Sequence, residues 1–343
     1  MYKQYWYKSS LNASMVDDLR NVVDSILYRQ VLNKKDIVVD IGANDGTLLS
    51  LYPERLFKIG FDPATNLAAE ARNKCDMYVN DYFSARGYPI SLDRKAKVVT
   101  TIAMFYDLPK PREFIEDIKA ILDSDGLWVI QFTDLLSMMK INAFDNLCHE
   151  HIEYYSLQVM NDLLISHGLT IFDAEYNQVN GGSIRAYVCY TGKRPVLPVV
   201  SKMLDTELEY MNSFDDPFVA FAKRIEDIKE YILAYIKSSL DAGKVIYIAG
   251  ASTKGNTLLQ YFGIDNTHIP YAAEVNSDKF GLKTVGTNIE IISEEQALKD
   301  NPDCFLVLPW HFKDTFVKIY KGYMEGGGKL IFPMPTPVIL PNK

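Results

Sequence analysis

Val38-Val39-Asp40-Ile41-Gly42-Ala43-Asn44-Asp45-Gly46-Thr47 is the stretch on which the fold turns. Val38, Val39 and Ile41 around one carboxylate read as a short buried strand, and Gly42 and Gly46 mark where that strand hands over to a helix. At such a turn the backbone N–H groups of the helix start face a ligand. Asp62 lies twenty residues after Gly42, at the end of the next apolar run, where a carboxylate accepts both hydroxyls of a ribose. The pair predicts adenosine binding. The dinucleotide fingerprint G-x-G-x-x-G is not met, because Asn44 fills its middle position and Gly42 and Gly46 are four apart.

Outward from this loop, short apolar or β-branched runs recur at 58–61, 77–80, 98–102 and 127–132, separated by helical stretches. That alternation predicts βαβ units and a buried parallel sheet. Ahead of it, Met15, Leu19, Val22, Val23, Ile26 and Leu27 share one helical face. Thr170 to Tyr176 and Ser183 to Tyr190 are then joined by a turn at Gly181 and Gly182, too short for a crossover helix, so they pair antiparallel. A mostly parallel sheet ending in an antiparallel hairpin is the class I methyltransferase architecture, expected over residues 1–195 with the helical lead-in. A charged helical connector over 196–241, broken near Asp216-Pro217, follows. A second βα series (245–249, 271–274, 305–308 and 330–332) predicts a smaller α/β domain, Rossmann-like, over 242–343.

Apolar residues at 48% and charged residues at 23% over 343 positions describe a globular chain of about two domains. With 36 Lys and Arg against 44 Asp and Glu, the net charge of -8 repels polyanions and argues against nucleic acid or an anionic membrane as partner. Cys75, Cys148, Cys189 and Cys304 form no C-x-x-C pair, which excludes a disulfide framework or a zinc knuckle and fits a reducing compartment. With no apolar run of about 18 residues and no signal-like opening, a cytoplasmic protein is expected.

Two further segments carry chemistry. Phe144-Asp145-Asn146-Leu147-Cys148-His149-Glu150-His151-Ile152-Glu153-Tyr154-Tyr155-Ser156-Leu157 holds two of the five histidines. A metal site there lacks H-E-x-x-H and crowds its ligands. A hydrogen-bonded interior histidine is a second reading. General acid–base work is the third, since imidazole titrates near neutrality and a neighbouring carboxylate can hold its tautomer. The other segment is Gly250-Ala251-Ser252-Thr253-Lys254-Gly255-Asn256-Thr257, a second strand–helix turn. Ser252, Thr253, Lys254 and Asn256 there can cradle a diphosphate, with Glu274 ending the next strand near a ribose or base. It is not a Walker A loop; binding of NAD, or a purely stabilising fold, are its alternatives. Arg185 and Lys279 are further phosphate candidates.

Taken together, "VDIGANDGTLLS", "TIAMFYDLPKPREFIEDI", "NAFDNLCHEHIEYYSL", "NGGSIRAYV" and "GASTKGNTLLQYFGI" closely resemble the S-adenosylmethionine-dependent C-methyltransferases of deoxysugar biosynthesis, which act on nucleotide-linked 4-ketohexoses. The resemblance covers nearly the whole chain. It implies S-adenosylmethionine as cofactor, leaving as S-adenosylhomocysteine, at Asp40, Gly42, Asn44 and Gly46, a donor loop with Asn in place of its central Gly. Asp62, Asp81, Ala103 and Met104 fall where the ribose, adenine and methionine contacts of such folds sit. It further implies that the C-terminal domain holds the nucleotide diphosphate keto sugar, that His151 removes the C3 proton and that Glu150 assists. Tyr7 matches an N-terminal active-site tyrosine; the partner of the enolate oxygen stays open, with His149, Asn146 and Asn180 as the candidate donors, and the chemistry requires no metal. A tyrosine of described members falls at Cys148 here, so its role is not carried over, and the family's four-cysteine zinc domain has no counterpart in this sequence. A monomer or small homo-oligomer is expected. O- or N-methylation, and a nicotinamide-linked nucleotide-sugar oxidoreductase or epimerase, are the competing functions.

Overall fold

The computed structural model describes residues 2–11, 13–89, 91, 93–177 and 179–341, the side chain of Asn180 excepted. Its strands are β1 (Ile37–Ile41), β2 (Phe57–Phe61), β3 (Met77–Val79), β4 (Ala96–Ile102), β5 (Leu122–Thr133), β6 (Leu169–Asn177), β7 (Ser183–Tyr190), β8 (Ile246–Ala249), β9 (Tyr271–Glu274), β10 (Glu290–Ser293), β11 (Cys304–Val307), β12 (Lys329–Phe332) and β13 (Val338–Leu340). The chain divides into two units, Met1–Leu135 with Ile152–Glu209, and Leu136–His151 with Tyr210–Lys343.

The first unit is built on a seven-stranded sheet of order β3-β2-β1-β4-β5-β7-β6. β1 to β5 pair in parallel, while β7 runs antiparallel to both β5 and β6. The expected hairpin and mostly parallel sheet are both present. Because both faces are covered, β1 is buried along its whole length. Val38, Val129 and Tyr187 meet Leu19, Val22, Val23 and Ile26 of the helix Ala13–Arg29 on one face. On the other, Val39, Ile41 and Ile130 meet Phe114, Ile115, Ile118 and Ile121 of the helix Pro111–Ile121.

The second unit has a six-stranded sheet of order β10-β9-β8-β11-β12-β13, parallel except for β13. Gly250 has φ +85°, and a Cβ there would stand 2.5 Å from Pro309, so the loops leaving β8 and β11 approach each other only because residue 250 is glycine. The helix Pro217–Asp241 buries Ile225, Ile228, Ile232 and Ile236. It starts at the expected break because Asp216 caps the amides of Phe218 and Val219 and Pro217 occupies its first turn.

The division differs from the expected boundaries in two places. The connector parts between Glu209 and Tyr210: Val200 and Met203 join the first unit's core, and Glu207 accepts the amide of Leu157 at 2.8 Å. Residues 136–151 go with the second unit, where Arg224 donates to the Met139 carbonyl at 2.8 Å and to Asn142 Oδ1 at 2.9 Å, and Phe144 stacks on Phe262. Among the described residues, no helix is long and apolar enough to cross a membrane.

Arg185 requires a correction. It is 1% exposed in β7, and its guanidinium donates to Gln131 at 2.8 Å, Asn21 at 2.7 Å, Glu175 at 3.0 Å and Asp18 at 3.0 Å. All three nitrogens are committed inside the first unit, so it is a structural cation and not a phosphate ligand. Replacing it by Leu takes the cation from Asp18, a largely buried carboxylate that keeps the Gln131 amide at 3.0 Å, for an expected loss of about 3 kcal/mol in urea unfolding, at the low end for a broken buried pair because Glu175 is partly solvated. A change below about 0.5 kcal/mol contradicts this role.

Candidate functional site

In the first unit, the turn after β1 concentrates left-handed backbone: Gly42 (φ +77°), Asn44 (φ +52°), Gly46 (φ +78°) and, at the end of neighbouring β4, Ala103 (φ +54°). Such conformations in non-glycine residues collect at ligand sites. Gly46 is irreplaceable, since a Cβ would also lie 3.0 Å from the backbone of Ala71. A Cβ on Gly42 would press on Met104 at 3.2 Å, so the Met104 side chain walls the loop.

Asp62 is buried, its two carboxylate oxygens accepting the amides of Asn44 and Ala64, each at 2.8 Å. Burial raises its pKa. Each oxygen keeps acceptor capacity for a ribose hydroxyl. Asp40 lies deeper: it takes the Thr100 hydroxyl at 2.6 Å, tying β1 to β4, and burial lifts its pKa to about 7. Asp81 is exposed after β3, with the Tyr82 amide on its carboxylate at 2.8 Å.

Asn44, standing where the donor-loop pattern has glycine, has a use of its own. Its Oδ1 accepts the Ser9 amide at 3.0 Å and its Nδ2 donates to the Tyr7 carbonyl at 3.0 Å. Asp45 accepts the Ser10 amide at 3.1 Å, and the Lys3 carbonyl accepts from Thr65 at 3.0 Å. The N-terminal segment is thus tied across the loop. Tyr7 is 43% exposed as a residue. Its hydroxyl is nonetheless pushed up to about 12, by partial burial first and then by the charges of Asp45 and Asp18.

In the second unit, the loops after β8 and β11 flank the point where the strand order reverses, the customary ligand crevice of an open α/β sheet. Residues 144–151 belong to this unit. The Trp310 indole donates to Asp145 at 2.9 Å. The carbonyl of Asn146 pairs with His151 Nδ1 at 2.9 Å and also accepts the Cys148 amide at 2.9 Å. A carbonyl only accepts, so Nδ1 carries the ring proton and Nε2 is left as the basic nitrogen. Burial first, and then the charge of Lys254, lower the His151 pKa to about 4. Glu150 lies 4.0 Å from His149, which is 68% exposed at its side chain.

The second loop divides its expected residues into two groups. Lys279 donates to the Ala251 carbonyl and to Glu274, both at 3.0 Å, and Glu274 also accepts the Val275 and Asn276 amides, which fixes a carboxylate at the end of β9. Ser252 caps the helix Thr253–Phe262 through the Gly255 amide at 3.0 Å. Thr253 is exposed and Asn256 half-buried on the same turn. Lys254 departs from this group: its charge acts on Asp145, Cys148, His151 and His311. Asn180 lies in the Val179–Gly181 turn of the first unit, and its side chain is outside the described residues.

Three residues of the crevice escaped sequence reasoning: Asp145, Trp310 and His311. His311 lies with Trp310, Lys313, Phe332, Met334, Pro335, Thr336 and Val338 around a cavity of about 320 Å³. Its pKa is lowered to about 4 by burial and by Lys254. The available clue was a Pro-Trp-His run directly after a strand, where α/β loops carry ligand contacts.

Residues 15–174 match a family described as a methyltransferase domain, and residues 178–335 match one described as the C-methyltransferase C-terminal domain. The chain is 30% identical, over 99% of its length and 82% of the relative's, to the C-methyltransferase NovU of Streptomyces niveus. Among solved structures, an S-adenosylmethionine-dependent methyltransferase from Clostridium acetobutylicum aligns with 52% of this chain and 92% of its own at 11% identity and a TM-score of 0.42. The magnesium protoporphyrin IX methyltransferase of Synechocystis, with bound S-adenosylhomocysteine, aligns with 52% and 88% at 13% identity and a TM-score of 0.40.

The tie between Asn44 and the N-terminal segment is open to test. Asn44→Gly removes one hydrogen bond each from Ser9 and Tyr7, at about 1 kcal/mol apiece, so the Ser9 amide should exchange with deuterium about tenfold faster or more. Unchanged protection contradicts the tie.

Proposed function

The chain belongs to the C-methyltransferase family, and from that premise we propose that it methylates C3 of a nucleotide-linked 4-keto hexose, with His151 as the base. The observation that carries this reading is the bond between His151 Nδ1 and the Asn146 carbonyl, which leaves Nε2 unprotonated at neutral pH.

The methyl donor is S-adenosylmethionine, which when bound supplies an electrophilic methyl group on a positively charged sulfur. The residues after β1, β2 and β4 fit it: a glycine turn walled by Met104, helix-start amides, and the buried Asp62 carboxylate with lone pairs left for ribose hydroxyls. In the second unit, Ser252, Glu274 and Lys279 suit the nucleotide of the substrate, and Asn146 holds the base in its working tautomer.

A sugar C–H is not acidic unless the adjacent carbon is a ketone, because only then does the electron pair delocalise onto oxygen. C-methylation therefore calls for a base, whereas sulfonium transfer to an oxygen or nitrogen lone pair needs no C–H cleavage. Nε2 of a neutral imidazole answers that need, and a positioned base is worth about 10²- to 10⁴-fold. A pKa near 4 makes for a weak base in the ligand-free protein. The negative diphosphate of a substrate offsets the charge of Lys254 and raises the ring toward working pH.

In deuterated water with S-adenosylhomocysteine and a 4-keto sugar nucleotide, the wild-type chain should exchange the C3 proton. His151→Gln should slow that exchange at least 100-fold while binding S-adenosylhomocysteine within about threefold of wild type. Equal exchange in the variant, or none in the wild type with any 4-keto sugar nucleotide, contradicts the proposal.

A further inference from the structure

The loops after β1 and β2, which fit the adenosyl half of the donor, also hold a strap made of residues 2–11. Its fastenings run in order along the chain. The Lys3 carbonyl accepts the Thr65 amide at 3.0 Å, and Asn66 makes a reciprocal pair with Tyr5, accepting its amide at 3.0 Å and donating to its carbonyl at 2.9 Å. Lys8 meets Glu70 at 2.6 Å. On the loop after β1, Asn44 donates to the Tyr7 carbonyl and accepts the Ser9 amide, both at 3.0 Å, and Asp45 accepts the Ser10 amide at 3.1 Å.

The strap is held without a core of its own. None of residues 2–11 is buried, and Trp6 and Leu11 are 68% and 79% exposed. Polar bonds to the backbone hold it, each worth little net because water competes for both partners, so it opens far below the cost of unfolding the sheet. Its fastenings converge on Asp62. The Oδ2 of that carboxylate accepts the Asn44 amide and its Oδ1 the Ala64 amide, each at 2.8 Å. Asn44 grips one half of the strap through its side chain, and Thr65, next after Ala64, grips the other through its amide. The carboxylate that suits ribose hydroxyls therefore fixes both places where the strap docks.

We infer that residues 2–11 form a strap that closes over the adenosyl half of the bound donor, and that Asn44 is the positioning residue that couples ribose occupancy to closure. This rests on the reading of Asp62 as the ribose carboxylate. Hydroxyls donated to Asp62 hold the carboxylate in the orientation that serves both amides, which narrows the backbone at residues 44 and 64 and favours the closed strap. By linkage, the closed strap favours the ligand by the same factor. S-adenosylhomocysteine then leaves after the strap lifts, so the latch sets the rate of product release. Glycine at position 44 would keep the turn and lose the latch.

The test uses the full chain with S-adenosylhomocysteine as the probe, and the variants Asn44→Gly, Asn66→Ala and Asp62→Ala. Asn66 is exposed, so Asn66→Ala loosens the strap while leaving Asn44 and Asp62 in place. Deuterium exchange of the Tyr5, Ser9 and Ser10 amides is read with and without the probe, and probe release by stopped-flow displacement. In the wild type, saturating probe should slow the three amides by about fivefold or more, the low end of a coupling between sites. Asn44→Gly should lose that protection at Ser9, and both Asn44→Gly and Asn66→Ala should release the probe about fivefold faster or more. A merely structural fastening would alter exchange in the free protein and leave release alone, so a wild-type release rate in either variant overturns the inference. Full ligand-dependent protection of Ser9 in Asn44→Gly overturns it as well. Asp62→Ala separates the strap from the ribose contact. Unweakened probe binding in that variant refutes the contact, whereas weakened binding together with wild-type strap amides indifferent to the probe refutes the strap alone.

Discussion

The hydrogen bond from the His151 ring to the Asn146 carbonyl is the constraint on which the proposed chemistry depends. A backbone carbonyl cannot titrate or rotate away as a carboxylate side chain can, so the tautomer it selects persists across the pH range in which the ring is neutral. Its own position is set by the short 3-10 turn Phe144–Asn146, which is pinned by Phe144 stacking on Phe262 and by Asp145 receiving the Trp310 indole. Residues 136–151 therefore belong with the second sheet although the chain on either side of them belongs with the first.

The donor loop obeys a different economy, that of backbone shape. Four left-handed residues at the ends of β1 and β4 give it a form in which a side chain at Gly42 or Gly46 would press on Met104 or Ala71, and a buried carboxylate at the end of β2 fixes its Asn44 amide. The one departure from an all-glycine pattern, Asn44, is tolerated because asparagine visits that backbone region more readily than other residues. Its amide then gains two bonds to the N-terminal segment that glycine cannot make.

Much of this was legible in the chain. The strand–turn–helix at Val38 to Thr47, a carboxylate at Asp62 closing the next strand and the closing hairpin follow from local pattern alone, because each is decided by residues close in sequence. The edge strands β10 and β13 were not visible: they are short, and Glu290–Ser293 carries a charge where an apolar run would announce a strand. Arg185 misled because a lone cation in sequence looks solvated, whereas Asp18, Asn21 and Gln131 come to it from distant segments and Glu175 from the facing hairpin strand. The grouping of Asp145, Lys254, Trp310 and His311 was hidden for the same reason, since the Asp145–Trp310 bond spans 165 residues. Pairings at that range are set by topology and carry no local pattern.

The state of the His151 ring is the most direct measure of the account. In protein labelled with ¹⁵N at histidine, long-range ¹H–¹⁵N correlation at pH 7 should show His151 with its proton on Nδ1 and a pyridine-like Nε2, unchanged until the pH falls to about 4. A ring protonated on Nε2, or one that titrates near 6.5 in the ligand-free chain, would contradict it.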